Sequence, residues 1–175
     1  MATASAFVSV APATLPDNFF SRIGDDWMLI TAENSRGDVN TMTASWGCAG
    51  ILWNKPVAIC FIRPQRYTYG IVEDADTLTL SFFPADEYRD ALRYCGTKSG
   101  RDGNKFAATG LTVESASNGA PYVAEANLVL VCRKLYADDL KEGCFIDPEM
   151  LKHYAAKDYH RFYICEIVEV LVKEI

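Results

Sequence analysis

A chain of 175 residues that is 50% hydrophobic is long enough for one well-packed domain and short for two. Its formal charge of −6 and pI near 4.9 argue against a nucleic-acid backbone as partner, because phosphate-backbone binding needs a basic stripe and the Lys and Arg residues here are dispersed. No stretch approaches the ~18 continuous apolar residues of a membrane span, which argues against a membrane role.

Taken in chain order, residues 1–18 read as a loose N-terminal arm and residues 19–175 as a single domain. The opening "MATASAFVSVAP" has no positive charge before Arg22, and Ser and Thr dilute its apolar content, so no signal peptide is expected. Strand-like runs follow at fairly even spacing, over 27–32, 39–46, 56–63, 77–83, 126–137 and 159–175. "SRGDVN" is turn chemistry centred on Gly37 and Asp38. Over 84–96 the apolar residues Tyr88, Ala91, Leu92 and Cys95 recur at helical spacing, with Pro84 near the start, acids in the first turn and Gly96 at the end. Shorter helices are expected over 65–75 and 102–110, and one over 147–154 that opens on Asp147 as N-cap and Pro148 at its first position. Strands and helices do not alternate strictly, so the expectation is a mainly β fold: a closed or nearly closed barrel with helices outside, not a doubly wound parallel sheet.

The six cysteines, at 48, 60, 95, 132, 144 and 165, form no C-x-x-C and no zinc-type pairing with His. Cys60, Cys95, Cys132 and Cys165 lie in apolar surroundings, where a free thiol behaves as a small hydrophobe. With no N-x-[ST] sequon either, the expected setting is the reducing cytoplasm, and no metal is expected.

Four stretches carry candidate chemistry. In "NTMTASWG" (40–47), Thr41, Thr43 and Ser45 share one face of an extended segment, and Asn40, Met42, Ala44 and Trp46 share the other. A face of small hydroxyl side chains in mid-domain suggests that something polar lies against it. "FIRPQRYTYG" (61–70) turns at Pro64 into a helix and places Arg63, Arg66 and Thr68 around its first turn. A helix start with two guanidiniums suits a phosphate, although both arginines could instead pair with carboxylates such as Asp74 or Asp76. "CGTKSGRDGNKF" (95–106) is either a backbone nest for an anion or an ordinary Gly-rich loop, and it is neither a Walker motif nor a calcium loop. His160, beside Asp158 in "KDYHRFYICEI", is a structural histidine or a usable donor or acid. Together they suit a ligand with a flat polar ring and one phosphate.

Several of these stretches, with "LSFFP" between them, resemble the flavin reductase-like, FMN-binding split-barrel family, in order and spacing, from about Asp26 to Val170. The resemblance implies a six-stranded antiparallel split β-barrel with helical insertions, commonly a homodimer with FMN near the subunit interface. It implies that the strand from Asn40 through Met42, Thr43, Ala44 and Ser45 lies along the flavin ring. Arg63, Arg66, Tyr67 and Thr68 match the phosphate-proximal segment, and Ser99, Gly100 and Lys105 match a second loop touching ribityl or phosphate. His160 matches the histidine near the ring and the incoming nicotinamide, although the family's adjacent Asp-His pair is here interrupted by Tyr159. The implied activity is NAD(P)H:flavin oxidoreduction, with hydride passing from NADH or NADPH to flavin N5. No G-x-G-x-x-G follows a predicted strand, so the nicotinamide would stack on the flavin with no Rossmann site of its own. Two alternatives stand beside it: a non-enzymatic, flavoredoxin-like electron carrier working with a redox partner protein, and a small barrel that binds another phosphorylated ring.

Overall fold

The computed structural model describes residues 6–84 and 86–173. Residues 1–5 of the expected arm, Ala85 of the expected helix and residues 174–175 of the expected last strand lie outside them. One antiparallel sheet of eight strands organises the described residues. In chain order the strands are β1 (Phe7–Val10), β2 (Met28–Glu33), β3 (Val39–Ala44), β4 (Gly47–Leu52), β5 (Lys55–Ile62), β6 (Thr77–Phe82), β9 (Leu128–Asp139) and β10 (Arg161–Lys173). A separate two-stranded hairpin joins β7 (Val113–Ser115) to β8 (Pro121–Val123).

The spatial order β3-β2-β6-β9-β10-β5-β4, with β1 on β10, contains the geometry that matters. β3 and β4 stand at opposite ends of that path, yet only Ser45 and Trp46 separate them in the chain. Two residues span less than about 10 Å, so the sheet must curl until its ends approach, leaving a seam beside β3. This is a split barrel, mainly β and antiparallel as expected, with more strands than the six expected.

The central strands are apolar almost without interruption because both of their faces are covered. Met28, Ile30, Leu78, Leu80, Phe82, Leu128 and Leu130 point into the barrel. The alternate positions Leu29, Val129 and Val131 pack outward against Phe83, Leu92, Phe106, Tyr122 and Val123. That outer layer contains α3 (Arg89–Thr97), α4 (Lys105–Thr109) and the β7–β8 hairpin. Two further helices, α1 (Phe19–Gly24) and α2 (Tyr67–Asp74), complete the set.

Several expectations need correction. Residues 7–10 of the expected loose arm are a strand, in register with Val170–Lys173 of β10. The helix expected from 84 begins at Arg89, because Asp86 adopts a left-handed conformation (φ 69°) that a helix cannot carry. The run 147–154 is a 3-10 helix, although Asp147 and Pro148 occupy the predicted cap and first positions. The strand expected over 39–46 ends at Ala44, and β4 lies beyond it, turning into β5 at Trp53 and Asn54 (φ 52° and 56°), the paired left-handed conformation of a tight hairpin.

Candidate functional site

The seam beside β3 is where the sequence candidates converge. Thr31 and Thr41 are cross-strand partners whose hydroxyls meet at 2.9 Å, the close side-chain approach of a non-hydrogen-bonded pair. By alternation, Thr41 and Thr43 turn their own N–H and C=O groups away from β2 toward the open edge. The Lys105 amine, donating to the Thr41 carbonyl at 2.9 Å, agrees with that direction.

A cleft of about 200 Å³ opens on this edge. Met42, Thr43, Ala44, Ser45 and Trp46 form one wall, and Phe61, Arg63, Arg66 and His160 the other. A second recess, of about 110 Å³, continues from Arg66 and is lined by Tyr67, Lys98, Ser99 and Lys105 among others. Asn40, Gly100 and Tyr67 border a third, polar hollow on the far side of Lys105. Thr68 is buried behind the site and accepts from the Asn40 amide at 2.8 Å. Gly100 lies so close to these groups that a Cβ there would fall 2.5 Å from Asn40 Oδ1 and from the Tyr67 ring.

The hydroxyl face has a more local occupant than the sequence suggests. The Thr43 hydroxyl donates to the Leu92 carbonyl of α3 at 2.5 Å, so its bond is to a helix laid against β3. Met42 and Ala44, on the opposite face, belong to the barrel core.

Pro64 ends β5 and the chain turns at once, with the Arg66 amide donating to the Arg63 carbonyl at 3.0 Å. Arg66 is then the N-cap of α2 and offers no side-chain cap, which leaves the helix's first amides without that partner. Its guanidinium instead reaches the end of α3, donating to the carbonyls of Gly96 and Cys95 at 2.9 and 3.2 Å. Lys105, 3% exposed, donates to the same Cys95 carbonyl at 2.9 Å. Burial pushes the Lys105 amine down to about 8 and also lowers Arg66. Among the described residues neither cation has a carboxylate partner, so pairing of Arg66 with Asp74 or Asp76 is not what the structure contains. Asp74 accepts from the Ser35 amide at 2.7 Å.

Arg63 does have a partner: it is bound to Asp158, which also accepts from the Gln65 amide at 2.7 Å. It donates to the His153 carbonyl at 2.9 Å, and its guanidinium lies 5.1 Å from the Tyr154 ring centre. Gln65 and Arg63 together hold the Asp158 carboxyl below its usual range. His160 is buried, with Nδ1 2.9 Å from the Tyr154 hydroxyl and its ring 5.0 Å from that of Trp46. Burial, helped by Arg63, lowers His160 to about 4, so the imidazole is neutral near pH 7.

Trp46, Phe61, Lys98 and Tyr154 are site residues that sequence reasoning misses. Trp46, Phe61 and Lys98 lie inside the quoted stretches without a role assigned to them there, and Tyr154 ends the run expected as a helix over 147–154. Chemically, the arrangement offers an open strand edge for a ring with donors and acceptors along one side. Next to it, two uncompensated cations and uncapped helix amides suit a dianion.

The family model for flavin reductase like domains matches residues 20–175. No curated protein matches the sequence closely enough to count as a relative. The chain is similar in structure to an FMN-binding domain of a flavin reductases-like enzyme from Shewanella baltica OS155, at TM-score 0.70 and 18% identity, covering 98% of this chain and 79% of that one. It is similar to the flavoredoxin of Desulfovibrio vulgaris (Miyazaki F), at TM-score 0.66 and 24% identity over 85% of this chain and 69% of that one. An NADH:FAD oxidoreductase from Streptomyces globisporus C-1027, solved with NAD and FAD fragments, matches at TM-score 0.62 and 16% identity over 83% and 73% of the two chains. At these identities the structural likenesses establish the fold.

Proposed function

This chain belongs to the flavin reductase-like domain family, and from that premise we propose that it binds FMN and acts as an NAD(P)H:flavin oxidoreductase. The observation that carries the reading is a pair of cations, buried Lys105 and half-buried Arg66, without a carboxylate partner among the described residues at the uncapped start of α2. Arg66, Lys105, Ser99 and the first amides of α2 would hold the phosphate. The free backbone groups of Thr43 on the open edge would take the polar side of the ring, with Ser45 beside them. When bound, FMN supplies a ring that accepts a hydride from a nicotinamide and passes the electrons on. Trp46 and Phe61 keep water from the cleft wall, neutral His160 offers a hydrogen bond, and Asp158 cancels the charge of Arg63 there. Likeness to an NADH:FAD oxidoreductase supports a nicotinamide as reductant.

A second reading, an FMN-binding electron carrier, is favoured by one surface. Phe20 on α1 and Trp46 between β3 and β4, 92 and 41% exposed, line a hollow that shares Ser45 and Trp46 with the cleft. Such a patch suits a protein, either a redox partner or the second copy of the expected homodimer. Likeness to a flavoredoxin supports the carrier reading. The six free cysteines fit a reducing cytoplasm, and no helix among the described residues is long and apolar enough to cross a membrane.

Anaerobic mixing of the protein with FMN and excess NADH, then NADPH, separates the two readings. Bleaching faster than in a protein-free control is expected, and the two traces rank the nucleotides. Bound FMN that is not reduced faster than the control would favour the carrier.

A further inference from the structure

Tyr154 stands outside every motif of the sequence, yet it touches both polar groups on the far wall of the cleft. It ends the 3-10 run Pro148–Tyr154 and is 6% exposed. Its hydroxyl lies 2.9 Å from His160 Nδ1, and the Arg63 guanidinium lies over its ring at 5.1 Å. Tyr159 and Phe145 pack on the same ring at 5.0 and 5.7 Å between centres, so its position does not depend on the hydroxyl.

We propose that Tyr154 is a positioning residue that holds His160 as its Nε2–H tautomer, so that His160 meets the cleft as a hydrogen-bond donor and not as a base. A phenol has one proton to give, and burial disfavours its loss by raising the Tyr154 pKa. Among the described residues His160 Nδ1 is the partner that the hydroxyl has. A buried O–H left without an acceptor costs about 1–3 kcal/mol, so the phenol donates and Nδ1 accepts. In a neutral imidazole the proton then resides on Nε2. Neutrality follows from the surroundings. The charged groups that face the ring are Arg63 at the end of β5 and Asp158 just before β10, bound to each other. Tyr154 and His153 face it from the 3-10 run, His153 across the Trp46 indole at 5.4 Å. Trp46 and Phe61, at 5.0 and 6.3 Å, complete an apolar cage that disfavours the imidazolium. A donor at the ring would stabilise the negative charge that a flavin gains on reduction. That last step rests on the proposed flavin reading; the tautomer does not.

The chain has two histidines, His153 and His160, so histidine labelled with 15N can be assigned with a His153→Gln control. In the flavin-free wild type, the expected spectrum shows His160 Nδ1 in the unprotonated range and Nε2 carrying the proton. A wild-type spectrum with the proton on Nδ1 overturns the proposal. Tyr154→Phe keeps the ring and its packing and removes the hydroxyl alone. It is expected to mix the two tautomers, to move His160's titration upward, and to make the midpoint potential of bound FMN more negative. The ratio of FMN to riboflavin affinity should stay constant. A Tyr154→Phe protein with the wild-type tautomer and titration also overturns the proposal. Failure of the wild type to bind FMN would sink the flavin reading alone, with the tautomer still decided by the spectrum.

Discussion

The Lys105 amine and the Arg66 guanidinium meet on one carbonyl oxygen, that of Cys95, at 2.9 and 3.2 Å. Two cations brought together out of water disfavour each other, and the Lys105 amine is lowered to about 8 by burial first, with Arg66 adding to it. A dianion in the recess would reverse both effects. Its binding should therefore depend on whether Lys105 is protonated.

The sign follows from linkage. The folded protein holds fewer protons than the unfolded chain between about 8 and 10.5, so without ligand this lysine costs stability below 8, and that cost disappears as pH rises to 10.5. Bound phosphate favours the charged amine, so FMN binding takes up a proton above pH 8 and weakens as pH rises. Below about 6 the phosphate loses its second charge and binding weakens again. FMN affinity should thus peak between these limits, and riboflavin affinity should be flat. A Lys105→Met protein should lose the alkaline limb; retention of that limb would assign it elsewhere.

His160 is shifted in the same sense, and its consequence falls on the acid side. Its folded pKa of about 4 lies below the ordinary 6.5, so the unfolded chain binds the extra proton between those values. The stability that this buried neutral ring contributes is present above 6.5 and is lost as pH falls toward 4. Melting curves from pH 7 to 4.5 should fall more steeply for the wild type than for His160→Gln. Parallel curves would mean that His160 titrates normally.

Thr43→Val separates a tether from a ligand contact. Loss of the hydroxyl's bond to the Leu92 carbonyl should cost about 1 kcal/mol of stability, visible in denaturant unfolding and restored by Thr43→Ser. Because the ring would bond to the backbone of β3, FMN affinity should change by less than about tenfold, or 1.4 kcal/mol. A larger loss at intact stability would put the hydroxyl itself on the ring.

Gly100 tests the loop over Tyr67. An added methyl would lie 2.5 Å from Asn40 Oδ1 and Tyr67 Cδ1, so Gly100→Ala must lift the 98–104 loop, at about 1–3 kcal/mol, and open the phosphate recess. Gly70→Ala on the exposed side of α2 meets nothing within 4 Å and should stabilise by about 0.5–1 kcal/mol. If both variants bind FMN like the wild type, the loop does not shape the recess.

What was legible in the sequence follows from where burial is two-sided. The runs 27–32, 77–83 and 126–137 announce strands because Leu29, Ser81 and Val131 are as buried as their inward neighbours. β4 gives no such signal: Gly47, Cys48, Ala49 and Gly50 have no β preference, and its turn at Trp53 and Asn54 contains no glycine. Arg66 and Lys105 could be assigned to anion-binding loops from local spacing. That both grip the end of α3 is a contact across 30 and 10 residues of chain, which no local pattern encodes. Tyr154 reaches His160 across six residues through a turn in which the Lys157 amide donates to the Tyr154 carbonyl and Lys157 is left-handed (φ 54°), a conformation that a lysine does not announce.

The most direct test of a phosphate-anchored flavin site is a pair of fluorescence titrations, FMN and riboflavin, on the wild type and Arg66→Ala. Removing one charge-assisted partner is worth about 1.5–3 kcal/mol, so FMN affinity should fall about 10- to 100-fold with riboflavin affinity unchanged. Equal losses for both ligands, or none for either, would contradict the assignment of this recess to the phosphate.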